Sequence, residues 1–287
     1  MSEKKGSPDS RNRPTLQGED ARLIQEIIHD YSGLSYGLDS AFFLERRIGP
    51  RLDALGLSSY REYYHYLRYD PNGSRELEDV VERLTTHETY LFREQYQLDA
   101  FRVEIVPELA QRLADRQRLT VWSAGCSTGE EVYTLAILLH EEERFRGWRI
   151  RVVGSDISRK VVAQARLGAY GPSSFRTTPP HYQTEYFAPR SGQYVIRDDI
   201  RNMCSFGQLN LMAVDRFPVV GECDVIFCRN VLMYLAADAR ERIVAAFYDT
   251  LRPGGYLLLG HSESLLNVTS RFDLVHLSRD LVYRRPL

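Results

Sequence analysis

Past about residue 118 the chain leaves helical periodicity for an alternation of short apolar runs and amphipathic stretches. That change restricts the fold more than anything else in the 287 residues. Runs at 119–124, 150–155, 225–228 and 256–259 read as strands, the last launched by a Pro253-Gly254-Gly255 turn. Between them, 130–143, 161–167 and 238–251 carry helical spacing. Parallel strands need long crossovers, usually helices, so this order predicts a doubly wound α/β domain with a mostly parallel sheet. The stretch 170–210 breaks the alternation. Pro172, Pro179 and Pro180 precede two short β-like runs at 194–197 and 203–207, so an inserted subdomain at about 171–207 is expected. Residues 273–283 alternate like a hairpin.

Upstream, Leu23, Ile24, Ile27, Ile28 and Tyr31 line one face of a helix. A second helix runs through Phe42, Leu44, Ile48 and Leu52 to Gly56. A third covers 60–69 and ends at Asp70-Pro71-Asn72-Gly73, and a fourth spans 76–84. The expected plan is a disordered tail at 1–17, a helical domain at 18–84, a linker at 85–104 and the α/β domain at 105–287. A composition of 43% hydrophobic and 26% charged residues excludes disorder for the bulk of the chain. The net charge of −2 argues against nucleic acid as the partner. Cys126, Cys204, Cys223 and Cys228 lack zinc spacing, although Cys223, Cys228 and His261 resemble half a site. Free thiols of a reducing compartment are the simpler reading, and no metal is expected. Without a signal peptide or an apolar span, the expected address is cytoplasmic.

Four segments carry candidate chemistry. In VWSAGCSTGEE (121–131) a strand, a small-residue loop and a helix start let a ligand approach backbone closely. It is neither GxGxxG nor a P-loop, and Glu130 and Glu131 would repel a pyrophosphate, favouring a ligand with a cationic group. A plain tight βα turn is the alternative. Asp156, in GSDIS at the next strand end, is placed to accept from both ribose hydroxyls; the alternative is Asp156 or Ser158 capping a helix. Arg229-Asn230 end a buried strand, where Asn230 as a cap and Arg229 as a solvated side chain are the alternatives. TTHETYLFRE (85–94) contains a capping box, Thr85-x-x-Glu88, and helical spacing would put Thr89 and Arg93 on one face.

Together with KVVAQARLGAY (160–170), FCRNVLMYL (227–235) and LRPGGYLLLGHSESL (251–265), these blocks follow the order of the chemotaxis-receptor glutamate methyltransferases, the CheR family, which the chain resembles over about 18–285. The resemblance implies a class I S-adenosylmethionine-dependent methyltransferase domain, Rossmann-like, with a small antiparallel β-subdomain insertion and an N-terminal helical domain. By resemblance, His87, Thr89 and Arg93 of the linker approach S-adenosylmethionine, Glu130 faces its amino group, Asp156 its ribose, Asn210-Leu211 its adenine, and Arg229-Asn230 complete the cofactor set. The implied reaction gives a glutamate methyl ester and S-adenosylhomocysteine. A glutamate is already an anion at neutral pH, so no general base is expected, and Arg93 and Arg229 are candidates to position its carboxylate. Arg46, Arg47 and Arg51 match a basic helix that approaches the receptor's cytoplasmic methylation helices; a solvated face is the alternative. Relatives that grip a receptor pentapeptide carry a longer glycine-rich turn than 188–193, so a pentapeptide-independent enzyme is expected; a monomer that reaches the membrane only through its receptor is expected as well. A nicotinamide dehydrogenase is disfavoured by the missing GxGxxG. An S-adenosylmethionine-binding signalling module of the same fold, without receptor methylation, is the standing rival.

Overall fold

The computed structural model describes residues 14–37 and 40–287. The expected tail therefore lies outside the described residues as far as residue 13. Leu16, counted with that tail, is buried, and its N–H donates to Glu45 Oε2 at 3.0 Å. Contacts divide the chain into two units, residues 1–85 and 86–287.

The first unit is helical: α1 (Gly18–Ser32), α2 (Ala41–Leu55), α3 (Tyr60–Tyr69) and α4 (Gly73–Leu84). Gly33 and Gly56 end α1 and α2 in the left-handed region (φ 73° and 68°), where a side chain would be strained. Ile24, Ile28, Leu44, Ile48, Tyr63, Val80 and Val81 form its core. Phe42, assigned by periodicity to the apolar stripe of α2, is instead 72% exposed. It sits outside the Leu44–Ile48–Leu52 row that α2 buries.

The second unit is built on a seven-stranded sheet. Its strands in chain order are β1 (Arg118–Ala124), β2 (Arg149–Asp156), β6 (Cys204–Gln208), β7 (Cys223–Cys228), β8 (Leu251–Leu259), β9 (Asp273–His276) and β10 (Leu281–Arg284). They lie side by side as β6-β2-β1-β7-β8-β10-β9. Pairing is parallel from β6 to β8, and the β9–β10 hairpin closes the edge with β10 antiparallel to β8. All six residues of β7 are buried, as a strand covered on both faces requires. Helices α5 (Gln95–Ala100), α6 (Val106–Arg112), α7 (Glu130–His140), α8 (Arg159–Leu167) and α11 (Ala237–Thr250) supply the covering layers and crossovers. A second sheet, β3 (Ala169–Tyr170), β4 (Phe187–Arg190) and β5 (Gln193–Ile196), is antiparallel in the order β3-β5-β4, with the short helices α9 (Pro180–Tyr186) and α10 (Asp198–Arg201) beside it in sequence. The insertion is thus shorter than expected. Residues 204–208 leave it and pair with β2 as the edge of the main sheet.

Candidate functional site

The strand order reverses at β1: β2 lies on one side and β7 on the other. In open α/β sheets the crevice at the carboxyl ends of such strands receives the ligand. The segments singled out by sequence converge there. After β1 the chain turns through Gly125, Ser127 and Gly129, all in the left-handed region (φ 85°, 48° and 91°). Gly125 N–H and Cys126 N–H both donate to Ser155 O, at 2.8 and 2.9 Å, which fastens the loop to the end of β2.

Asp156 completes that fastening. Its Oδ2 accepts Ser127 N–H at 2.8 Å and its Oδ1 accepts Ser158 N–H at 3.0 Å. Ser158, not Asp156, caps α8, with its hydroxyl accepting Val161 N–H at 3.3 Å. Burial raises the Asp156 carboxyl above the ordinary range, while the Ser158 and Ser127 N–H groups and His87 oppose that shift. Two N–H bonds leave part of the carboxylate's acceptor capacity unused. Leu209 N–H donates to Asp156 O at 2.9 Å, which sets Asn210 and Leu211 beside the same strand end. Asn210 Oδ1 accepts Met212 N–H at 2.9 Å. From the other direction, Ser127 Oγ donates to His87 O at 3.3 Å. His87 and Thr89 are half-buried.

The adjacent acids at the start of α7 have separate surroundings. Glu130 is buried, accepting from Thr128 Oγ1 at 2.6 Å and Ser174 Oγ at 3.0 Å. Burial holds its carboxyl above the usual carboxylate range. Glu131 faces the other way, taking Ser123 Oγ at 2.7 Å and Arg229 Nη1 at 3.1 Å.

Arg229 is not a solvated cation. Its side chain is 2% exposed and donates through Nη2 to Glu94 Oε2 at 2.8 Å and to Arg93 O at 2.9 Å. Burial works to lower its pKa, but Glu131 and Glu94 outweigh it and hold the charge. Glu94 in turn is kept below the ordinary range against its own burial, by Arg229 and by His261, whose Nδ1 lies 3.1 Å from Oε1. Both terminal nitrogens of the guanidinium are thus committed within the protein. Among the described residues its Nε is buried without a partner.

The linker block also differs from its helical expectation. Thr85 ends α4, its hydroxyl donating to Glu82 O at 3.0 Å, so no capping box starts a helix there. Residues 86–94 run without helix, with Phe92 and Glu94 both at φ 57°. Thr89 and Arg93 therefore do not share a helical face. Leu91 and Phe92 are fully buried, and Phe92 stacks on Tyr182 at 4.2 Å. Arg93 is 27% exposed, donates to Glu88 O at 3.0 Å and lies over the Tyr90 ring.

Asn230 stands at φ 58° and does not act as the cap of the turn at 231–234. The cap is Glu263. Its two oxygens accept four backbone N–H groups: Asn230 at 2.7, Gly260 at 2.8, Val231 at 2.9 and Met233 at 3.0 Å. Glu263 and Glu94 are the residues sequence reasoning passed over, and Glu131 reads from sequence only as an acid beside the loop; each lies inside one of the motif blocks, but nothing local to the block shows its partner. Among the described residues, Asn230 Oδ1 is a buried acceptor without a donor, and no cluster of three His, Cys, Asp or Glu suits a metal.

Two buried carboxylates and an orphaned amide oxygen give the crevice at these strand ends a surplus of acceptors around the small-residue loop. Ribose hydroxyls and an amino group supply the donors such a crevice lacks, so the residues present fit S-adenosylmethionine. Fold and crevice together define a class I S-adenosylmethionine-binding methyltransferase domain. Residues 19–85 match the CheR methyltransferase all-alpha domain, and residues 87–281 match the CheR methyltransferase SAM binding domain. The chain is 32% identical to chemotaxis protein methyltransferase 2 of Vibrio cholerae, over 96% of each chain. It is 34% identical to the chemotaxis protein methyltransferase of Salmonella typhimurium, over 91% of this chain and 89% of that one. Among solved structures it is similar to TrmN from Thermus thermophilus, with a TM-score of 0.38 and 18% identity, covering 63% of this chain and 49% of that one. The chain belongs to the CheR methyltransferase family. It is a methyltransferase using S-adenosylmethionine, and among its described residues no helix is long and apolar enough to cross a membrane.

Proposed function

We propose that the chain methylates glutamate side chains on the cytoplasmic helices of chemoreceptors, as the pathway of its relatives suggests. The observation that carries this reading is that the family match spans both units, 19–85 and 87–281, so the chain pairs the cofactor domain with the helical domain of chemotaxis methyltransferases. S-adenosylmethionine supplies an electrophilic methyl group when bound.

The chain's own residues have three tasks. Asp156 accepts from the ribose hydroxyls, and Glu130 takes the amino group, since Glu131 is held by Arg229 and Ser123. Asn210 and Leu211 flank the adenine, and His87, Thr89 and the Asn230 amide complete the pocket. The substrate carboxylate needs no base, because it is ionised at neutral pH. It needs alignment and partial removal of water, and a cation to offset that desolvation. Arg93 is that cation. Its guanidinium keeps exposure, donates to a carbonyl, and lies 3.9 Å from Glu94, too far for a hydrogen bond. Arg229 acts one step back, fixing Glu94, Glu131 and the Arg93 backbone. In α2 the docking role falls to Arg46 and Arg47, which are exposed. Arg51 is spent on Glu76, with Nε–Oε1 at 2.8 Å and Nη2–Oε2 at 2.5 Å. The β4–β5 turn is only Ser191-Gly192, at φ 50° and 79°, which supports independence from a receptor pentapeptide.

The test is transfer of labelled methyl from S-adenosylmethionine to a receptor cytoplasmic fragment. Base-labile label that vanishes when the receptor's methylated glutamates become glutamine is the expected result. Cofactor binding without label transfer to any receptor fragment of its host would leave the signalling-module reading in its place.

A further inference from the structure

At the amino-terminal edge of the main sheet, at the end opposite the cofactor crevice, the second unit holds a cavity of about 300 Å³ that the methyl-transfer chemistry does not use. Five arginines line it, Arg116, Arg118, Arg149, Arg151 and Arg252, against one glutamate, Glu222. The arrangement follows from strand register. β1 pairs with β2 so that Arg118 lies opposite Arg149 and Thr120 opposite Arg151. Side chains two apart in a strand share a face, so the arginines at 118, 149 and 151 stand together on one side of a parallel pair about 4.8 Å apart. Like charges directly opposite across strands destabilise a sheet.

Part of this charge is neutralised within the protein. Arg116 pairs with buried Asp224 at 2.6 Å, Arg252 with Glu222 at 2.7 Å, and Arg151 donates to Val220 O. Arg118 and Arg149 are exposed and, among the described residues, neither pairs with a carboxylate. Two uncommitted guanidinium forks stand in a concavity where Arg151 also keeps its charge, while Arg116 and Arg252 are paired with carboxylates. Such a surface draws anions inward and suits the bidentate geometry of phosphate oxygens. No aromatic side chain lines the cavity, so it has no platform for a base, and its size matches the small end of ligand pockets.

We propose that this cavity is a binding site for a compact oligophosphate, a diphosphate or triphosphate group, gripped by Arg118 and Arg149 with Arg151 and Arg252 at the sides. The site is separate from the cofactor crevice and independent of which protein the enzyme methylates.

The test is calorimetric titration of the full-length chain with inorganic triphosphate at about 0.15 M ionic strength, where diffuse surface attraction is screened. One saturable site is expected, weakened roughly tenfold or more in Arg118→Gln/Arg149→Gln, because two charge-assisted forks are lost. S-adenosylmethionine affinity should stay unchanged in that variant, which also certifies its fold. Absence of saturable binding, or equal binding by the variant, overturns the proposal. Should the variant not fold, arginine modification by phenylglyoxal on the unaltered protein decides. Triphosphate should protect Arg118 and Arg149 but not Arg46, and uniform labelling with and without triphosphate overturns the assignment.

Discussion

Arg229 shows how much of the site depends on one buried charge. Burying a guanidinium is costly unless paired, and here Glu94 and Glu131 both pair with it. Arg229→Ala leaves two half-buried carboxylates facing each other. It should destabilise the second unit by about 3–5 kcal/mol, read by urea unfolding; a loss below about 1 kcal/mol, the size of a surface ion pair, would contradict the buried-pair account. The two carboxylates proposed to hold the cofactor make separate predictions. Asp156→Ala should weaken S-adenosylmethionine binding by about 100-fold, the worth of roughly two charge-assisted hydrogen bonds. Unchanged affinity by calorimetry would remove the ribose assignment. Glu130 has a pKa raised by burial, so its neutral form persists to a higher pH than an exposed glutamate's. A cationic amino group prefers the anion. Affinity should therefore be full above that raised pKa and fall as pH drops through it, with a proton released on binding below it. Glu130→Gln should shrink this slope; identical pH profiles for the two proteins would point to another partner for the amino group.

At the scale of elements, Glu263 does for the turn after β7 what a helix cap does for a helix, satisfying four N–H groups with one carboxylate. Glu263→Ala should cost about 1–3 kcal/mol and free the 230–234 segment, visible as faster amide exchange at Val231 and Met233. Unaltered exchange there would show the turn to be held by packing alone. The same segment marks where sequence stops being informative. Strands β1, β2, β7 and β8 are legible because buried parallel strands write continuous apolar runs, and Gly56 and Gly168 punctuate helices as left-handed caps. The loop at 125–129 and Asp156 are legible because small residues and an acid at strand ends have few other uses. The 86–94 segment misleads. Its i, i+4 polar spacing mimics a helix, whereas Leu91 and Phe92 are buried by tertiary contacts, with Phe92 N–H donating to Thr134 Oγ1 from 42 residues away. Residues 204–208 read as part of the insertion because proximity in sequence is the only guide, and nothing local says that Val152 lies opposite Cys204. A solvated Arg229 is a plausible sequence reading for the same reason: both of its carboxylates come from about 100 residues or more upstream in the chain.

For the whole molecule, the near-zero net charge conceals how its arginines are divided between internal ion pairs and exposed surface. In the helical unit, Arg51 locks α2 to buried Glu76, and Arg61 ties α3 to Glu19 and Asp20 of α1. Arg46 and Arg47 remain exposed, beside Phe42 at 72% and Phe43 at 37% exposure, with the Arg47 guanidinium 5.4 Å from the Phe43 ring centroid. A patch of two cations and two exposed aromatic rings suits an amphipathic helix with acidic side chains along its edge, the kind of surface that the proposed glutamate-bearing substrate would need. None of these four residues is among those proposed to hold the cofactor, so recognition and cofactor affinity should separate in a variant. Arg46→Ala/Arg47→Ala should raise KM for a receptor cytoplasmic fragment about tenfold, the worth of roughly two exposed or half-screened charge contacts. Calorimetric affinity for S-adenosylmethionine should not change, and the defect should shrink as salt rises because screening weakens the unaltered enzyme towards the variant. Arg51→Ala should behave differently, lowering the unfolding temperature of the helical unit by leaving Glu76 buried without its cation. A double variant with unaltered KM would leave Arg46 and Arg47 as a solvated face and move the search for the receptor surface elsewhere on the chain.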